Sequence, residues 1–252
     1  MKHHSLPVPP GLEHCAVCAK GLTRRFGKFT AVDNIDLEVK RGDIFGFLGA
    51  NGAGKTTAIR MFCGLLAPSD GDAWVAGLSI RAAAEKVKRQ IGYMSQKFSL
   101  YDDLTILENL QFFGGVYGLS ISEIESRRTA LIERLDLVQF KNTLPSALPL
   151  GYKQRLALGC SVLHHPDILF LDEPTGGVDP VARRTFWNLI YDLSDEGVTV
   201  FVTTHYMDEA EYCTHLSIMN AGRIVALGTP AELKQEHRAN SIQDVFLKVV
   251  GQ

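Results

Sequence analysis

The sequence predicts an α/β fold around a mainly parallel sheet, with a helical segment inserted at about residues 100–165. Three observations predict it. Short apolar runs of strand length alternate with segments of helical periodicity, as in parallel strands joined by helices. One such run passes directly into a glycine-rich loop that opens a helix. Between residues 100 and 165 the alternation stops, and helical segments follow one another without a strand.

In chain order, residues 1–11 are expected to be a flexible arm, because Leu6–Gly11 is rich in proline. Such a start suits a domain cut from a longer polypeptide. His3 and His4 are a tag remnant or a polar tail, and no apolar run with a small-residue cleavage site marks a secretory signal. The folded domain is expected over residues 12–252. Cys15–Leu22 reads as a first strand, and Asp43–Leu48 as a short buried one. Thr56–Leu66 is helical, with Ile59, Phe62, Cys63 and Leu66 on one face. Ile91–Ser95 is another short strand. Leu104–Tyr117, Ser122–Leu137 and Lys153–Leu163 are the helices of the insert. Ile168–Leu171 is a buried strand, and Val198–Thr203 is rich in β-branched residues. Ile218–Val225 reads as a hairpin turning at Asn220–Gly222, and Ser241–Leu247 as an amphipathic tail helix.

Composition narrows the function classes. With 26 basic and 28 acidic side chains there is no net basic field, so no direct nucleic-acid partner is expected. No uninterrupted apolar stretch approaches the roughly 18–20 residues that a membrane-spanning helix needs. Five cysteines in a chain of 252 residues are not a disulfide framework, which points to a reducing, cytoplasmic setting. Cys15 and Cys18 form a lone Cys-x-x-Cys, read as lining the first strand rather than as a metal or redox site.

The motif with the most specific chemistry is Gly49-Ala50-Asn51-Gly52-Ala53-Gly54-Lys55-Thr56-Thr57, which fits G-x-x-x-x-G-K-[ST] between a strand and a helix. Glycines let the backbone wrap phosphate oxygens with N–H groups turned inward, and the helix N-terminus favours negative charge. Lys55 can reach the β- and γ-phosphates of ATP, and the Thr56 hydroxyl can ligate Mg²⁺. Downstream, Ile168-Leu-Phe-Leu-Asp172-Glu173 ends an apolar strand in two acids, at the edge where open α/β sheets bind ligands. Asp172 would hold Mg²⁺ through water, and Glu173 would act as general base on the attacking water. Gln96 follows a strand and could touch Mg²⁺ and that water, or be a surface amide. His205 follows a strand end and could donate to a γ-phosphate, or be an ordinary core or surface histidine.

The order and spacing of these residues, from Gly49–Thr57 through Gln96, Gly151, Asp172-Glu173 and Asp179 to His205, resemble the nucleotide-binding domain of ABC transporters over about residues 14–250. The resemblance implies a P-loop NTPase core of ABC ATPase type, an N-terminal antiparallel β subdomain and an inserted helical subdomain. It implies catalytic roles for Glu173, His205, Lys55 and Gln96. It makes Phe26, in Arg24-Arg-Phe-Gly27, the aromatic under adenine, although Phe29 is close by. It places Gly151 against a partner's ATP and Asp179 in the D-loop. It implies a second ATP-binding domain paired head-to-tail, as a homodimer or a tandem or heteromeric pair. It further implies a membrane-spanning permease touched by Gln96 and the insert, hence a peripheral place at the inner face of the membrane. Tyr93–Asp103, Thr204–Ala210 and the tail narrow the likeness to ATPase subunits of bacterial multidrug exporters of the YbhF-like type, some of them tandem.

One segment departs from the family pattern. Where the family has Leu-Ser-Gly-Gly-Gln, this chain has Leu148-Pro149-Leu150-Gly151-Tyr152. Pro149 has neither the hydroxyl nor an N–H for a partner's γ-phosphate, and Leu150 replaces a glycine. Loss of one charge-assisted hydrogen bond costs about 1.5–3 kcal/mol. Two other readings compete with the exporter subunit: a soluble ATPase of this family acting on ribosomes, and a regulatory domain that hydrolyses weakly. Pro149 favours the latter, and Glu173 and His205 oppose it.

Overall fold

The computed structural model describes residue 11 and residues 14–251. The expected arm, with His3 and His4, lies outside the described residues apart from Gly11. Along the chain the elements are β1 (Cys15–Phe26), β2 (Phe29–Lys40), β3 (Ile44–Leu48), α1 (Lys55–Phe62), β4 (Asp70–Val75), β5 (Leu78–Ser79), α2 (Ala84–Gln90) and β6 (Ile91–Met94). Then follow α3 (Ile106–Val116), α4 (Ile121–Arg134), α5 (Leu150–Val162), β7 (Ile168–Asp172), α6 (Pro180–Asp195) and β8 (Thr199–Thr204). The chain continues through α7 (Met207–Ala210), β9 (His215–Asn220), β10 (Arg223–Gly228), α8 (Pro230–Glu236) and α9 (Ile242–Val250).

Two sheets result: an antiparallel one in the order β2-β1-β4-β5, and a larger one in the order β10-β9-β3-β8-β7-β6. In the second, β9, β3, β8, β7 and β6 run parallel and only β10 is antiparallel. Its central strands are buried on both faces, which is why they read as continuous apolar runs. Phe45, Phe47, Phe170 and Phe201 point to the α1 side, while Val200, Val202, Leu169 and Leu171 point to the helical insert. Phe201 packs against Phe45, Phe47, Phe62 and Phe170 with ring centroids 5.2–5.5 Å apart. This apolar slab fixes α1 beneath the glycine loop.

The insert helices are defined by their starts. Thr105 with Glu108 and Ser120 with Glu123 form reciprocal capping boxes at α3 and α4. Helix α5 begins at Leu150, three residues before the predicted start at Lys153, because the Pro149 carbonyl already accepts from the N–H groups of Tyr152 and Lys153. The predicted hairpin turn carries positive φ at Ala221 and Gly222, the geometry of a tight two-residue hairpin loop. Strands β2, β4 and β5 were not separately predicted; in β2 Ile35, Leu37 and Val39 alternate with polar residues. No described helix is long and apolar enough to cross a membrane.

Candidate functional site

The loop between β3 and α1 leaves the middle of the larger sheet, at the carboxyl ends of its parallel strands. Glycine is demanded here by space. A Cβ on Gly54 would lie 2.3 Å from the Ala31 carbonyl oxygen at φ +108°, and one on Gly49 would lie 2.6 Å from that of Met219. Lys55 is buried at 4% exposure, and its Nζ donates to the carbonyls of Gly49 (2.7 Å) and Ala50 (3.2 Å).

Two strands away, β7 delivers Asp172 and Glu173 to the same crevice. Between them and the loop stands β8, whose Thr203 is the Cα partner of Asp172. The Thr203 hydroxyl donates to Asp172 Oδ1 at 2.7 Å and accepts from the Glu173 N–H at 2.9 Å. It thereby holds Glu173 in a left-handed conformation, φ 48°, which costs a non-glycine residue energy. That turn redirects the Glu173 side chain into the crevice. Its Oε1 is 3.3 Å from Lys55 Nζ. Its Oε2 accepts from Gln96 Nε2 at 3.0 Å and from His205 Nδ1 at 3.1 Å. A carboxylate only accepts, so His205 carries its proton on Nδ1.

Asp172 faces α1. Thr56 Oγ1 donates to its Oδ1 at 3.1 Å. Burial pushes the Asp172 carboxyl above its usual range, against the hydrogen bonds of Thr203 and Thr56 and with the charge of Glu173 adding to it. A buried carboxylate beside a hydroxyl is a hard oxygen donor pair, which suits Mg²⁺ better than a softer metal. Gln96 engages Glu173 through its nitrogen, leaving its carbonyl oxygen as the atom to meet a cation. A cavity of about 360 Å³ is lined by Asn51, Gly52, Gly54, Thr57, Gln96 and Glu173, among others.

Phe29 lines this cavity, and the predicted Phe26 stands opposite it at the β1–β2 turn. The two residues pair across the β1–β2 turn, so their side chains share one edge. Phe26 is half-exposed and lies beneath the Arg24 guanidinium, 4.5 Å from ring centroid to Cζ. Gly151 and Asp179 sit beside each other, in a separate place. A Cβ on Gly151 would meet the Cβ of Ala182 at 3.1 Å, and Asp179 caps α6 by accepting from Val181 and Ala182 N–H at 2.9 Å.

Sequence reasoning missed three residues that hold this crevice together. Thr203 is one. Glu209, wholly buried, accepts from the hydroxyls of Thr175 and Thr204 and lies 3.4 Å from Arg183 Nε, tying the segment after Glu173 to the end of β8. Gln154 Nε2 donates to the Pro174 carbonyl at 2.6 Å, tying α5 to that same segment. Each bonds a residue distant in the chain, so the sequence carries no signal of its partner.

The comparisons with known proteins agree with this geometry. The chain is 49% identical over 233 residues to "Probable multidrug ABC transporter ATP-binding protein YbhF" of Escherichia coli, covering 92% of this chain and 40% of that protein. It is 39% identical over 242 residues to Nod factor export ATP-binding protein I of Ralstonia nicotianae, covering 95% of this chain and 75% of that one. Among solved structures, an ATP-binding cassette in a dimeric post-hydrolysis state bound to ADP and Pi superimposes with a TM-score of 0.77 at 26% identity, over 84% of this chain and 98% of that chain. A profile of the ABC transporter family matches residues 32–176, which include the glycine loop, Gln96, Asp172 and Glu173. With that match laid over a crevice built from those same residues, the chain belongs to the ABC transporter family.

Proposed function

We propose that this chain binds ATP at Gly49–Thr57 and hydrolyses it, as the cassette that powers an exporter through a separate membrane-spanning partner. One observation carries the reading: Lys55, Gln96 and His205 converge on the single carboxylate of Glu173. A general base needs that position, next to the phosphate loop and oriented from three sides. Bound phosphates would draw Lys55 away from Glu173, freeing the carboxylate for water. His205 would then turn its N–H toward the γ-phosphate. Thr56 and Asp172 would hold Mg²⁺, the latter through water; the cation supplies charge neutralisation at the phosphates.

Half of the site would come from a second ATP-binding domain, whose Gly151 and Asp179 face this chain's phosphates and conversely. The dimeric relative bound to ADP and Pi supports pairing of such cassettes. The multidrug and Nod factor export names of the relatives support an exporter. The chain spans 40% of the length of the Escherichia coli protein, so a tandem partner is as compatible as a second copy. Attachment to a permease would set the chain at the inner face of the membrane.

Light scattering of Glu173→Gln with Mg-ATP tests the reading. Slowed hydrolysis should trap an ATP-bound pair in this variant while the wild type stays mostly monomeric. Equal turnover by both proteins would defeat the assignment of Glu173.

A further inference from the structure

The β1–β2 hairpin carries Phe26 and Phe29 at its closed end and a second chemical cluster at its open end. Its register shifts between the pairs Cys15–Lys40 and Val17–Val39. That bulge cancels the strand's alternation, so Ala16 and Val17 both enter the main core. Cys15 and Cys18 are thereby left together against Trp74, in a small cluster of their own. The neighbouring strand adds Glu38, the Cα partner of Cys18. His14 Nε2, Cys15 Sγ and a Glu38 carboxylate oxygen lie within 4.8 Å of one another, the thiol buried and the other two side chains exposed.

We propose that His14, Cys15 and Glu38 form a binding site for a borderline divalent cation of the Zn²⁺ type, separate from the nucleotide crevice. The donor set is right in kind: imidazole, thiolate and carboxylate are the three ligand types of protein zinc sites. It is right in spacing. Tetrahedral Zn–S and Zn–N bonds put the two ligand atoms about 3.6 Å apart, and Cys15 Sγ lies 3.6 Å from His14 Nε2. It is right in charge, since a thiolate and a carboxylate balance a dication. Water completes the fourth position.

Binding releases one proton. The metal-free Cys15 is a buried free thiol beside the His14 ring, its Sγ 3.6 Å from Nε2. The metal takes the sulfur's electron pair and the proton leaves to solvent. Glu38 meanwhile pairs with Lys20 at 3.2 Å. Both partners are exposed, and such a pair yields readily to a metal. Strands of twelve residues put this site roughly 35 Å from the Phe26–Phe29 turn, so its role is to pin the start of β1 to the end of β2.

Titration of the full chain with Co²⁺ under a phosphine reductant is the test, read by thiolate-to-cobalt charge-transfer absorption. One equivalent should produce the band and Zn²⁺ should erase it. Cys15→Ser should abolish it. His14→Ala and Glu38→Gln, at exposed positions, should each weaken binding at least about tenfold, without changing the melting temperature of the metal-free chain. A His3→Ala/His4→Ala variant should titrate like the wild type. Absence of the band, its survival in Cys15→Ser, or its loss with His3 and His4 would overturn the site. None of these readouts depends on ATP turnover.

Discussion

Helices α1 and α5 both start without a side-chain cap: Gly54 and Pro149 stand where Thr105, Ser120, Asp179 and Ser241 cap α3, α4, α6 and α9. Among described helices of eight residues or more, these two alone have no side chain capping their first N–H groups. Free N–H groups at a helix start attract anions, and the proposed function needs them at both places. The surroundings differ. Around α1 the backbone device is joined by Lys55, Thr56, Gln96 and Glu173 within one crevice. At α5 it is joined by Pro149, which has no N–H, and by Leu150, an apolar side chain 39% exposed. Under the proposed function, the same backbone feature makes a full site in one region and a reduced one in the other.

Three experiments bear on that contrast. Removing the charge at α1, in Lys55→Ala, should cost ATP affinity about a hundredfold or more, by fluorescent-nucleotide titration. Rebuilding the α5 end, in Pro149→Ser, should raise turnover of a self-paired chain roughly ten- to a hundredfold. No gain would mean that α5 does not meet a phosphate. Thr203→Val keeps the shape but removes the hydroxyl between Asp172 and Glu173. It should lower stability by about 1–3 kcal/mol in urea melts and slow turnover more than it weakens ATP binding.

The smallest effect concerns pH, far from phosphate. His164 stacks on Tyr117 at 3.5 Å, and burial depresses its pKa from 6.5 to about 4. Between those values the unfolded chain binds the extra proton, so stability is present above pH 6.5 and is lost as pH falls toward 4. His164→Gln should flatten that loss, a difference on the order of 1–2 kcal/mol in melts at pH 7 and pH 5.

The α1 site was legible because its parts are contiguous: nine consecutive residues for the loop, and Asp172-Glu173 at the end of one apolar strand. The parallel strands were legible because burial on both faces leaves unbroken apolar runs. What stayed hidden depends on residues distant in the chain. Thr203 acts on Asp172 across a strand pairing, and Glu209 acts on Thr175. Phe29 lines the cavity beside the turn that pairs it with Phe26, a placement that spacing does not encode. The Cys15–Glu38 proximity follows from a bulge in a strand that looks regular in sequence.

The central claim is that the α1 crevice is a hydrolytic half-site with Glu173 as its base. Phosphate release from Mg-ATP by the wild type and by Glu173→Gln, at matched nucleotide occupancy, tests it most directly. The account predicts unchanged ATP affinity with turnover reduced about 10²–10⁴-fold. Equal turnover at equal occupancy would contradict it.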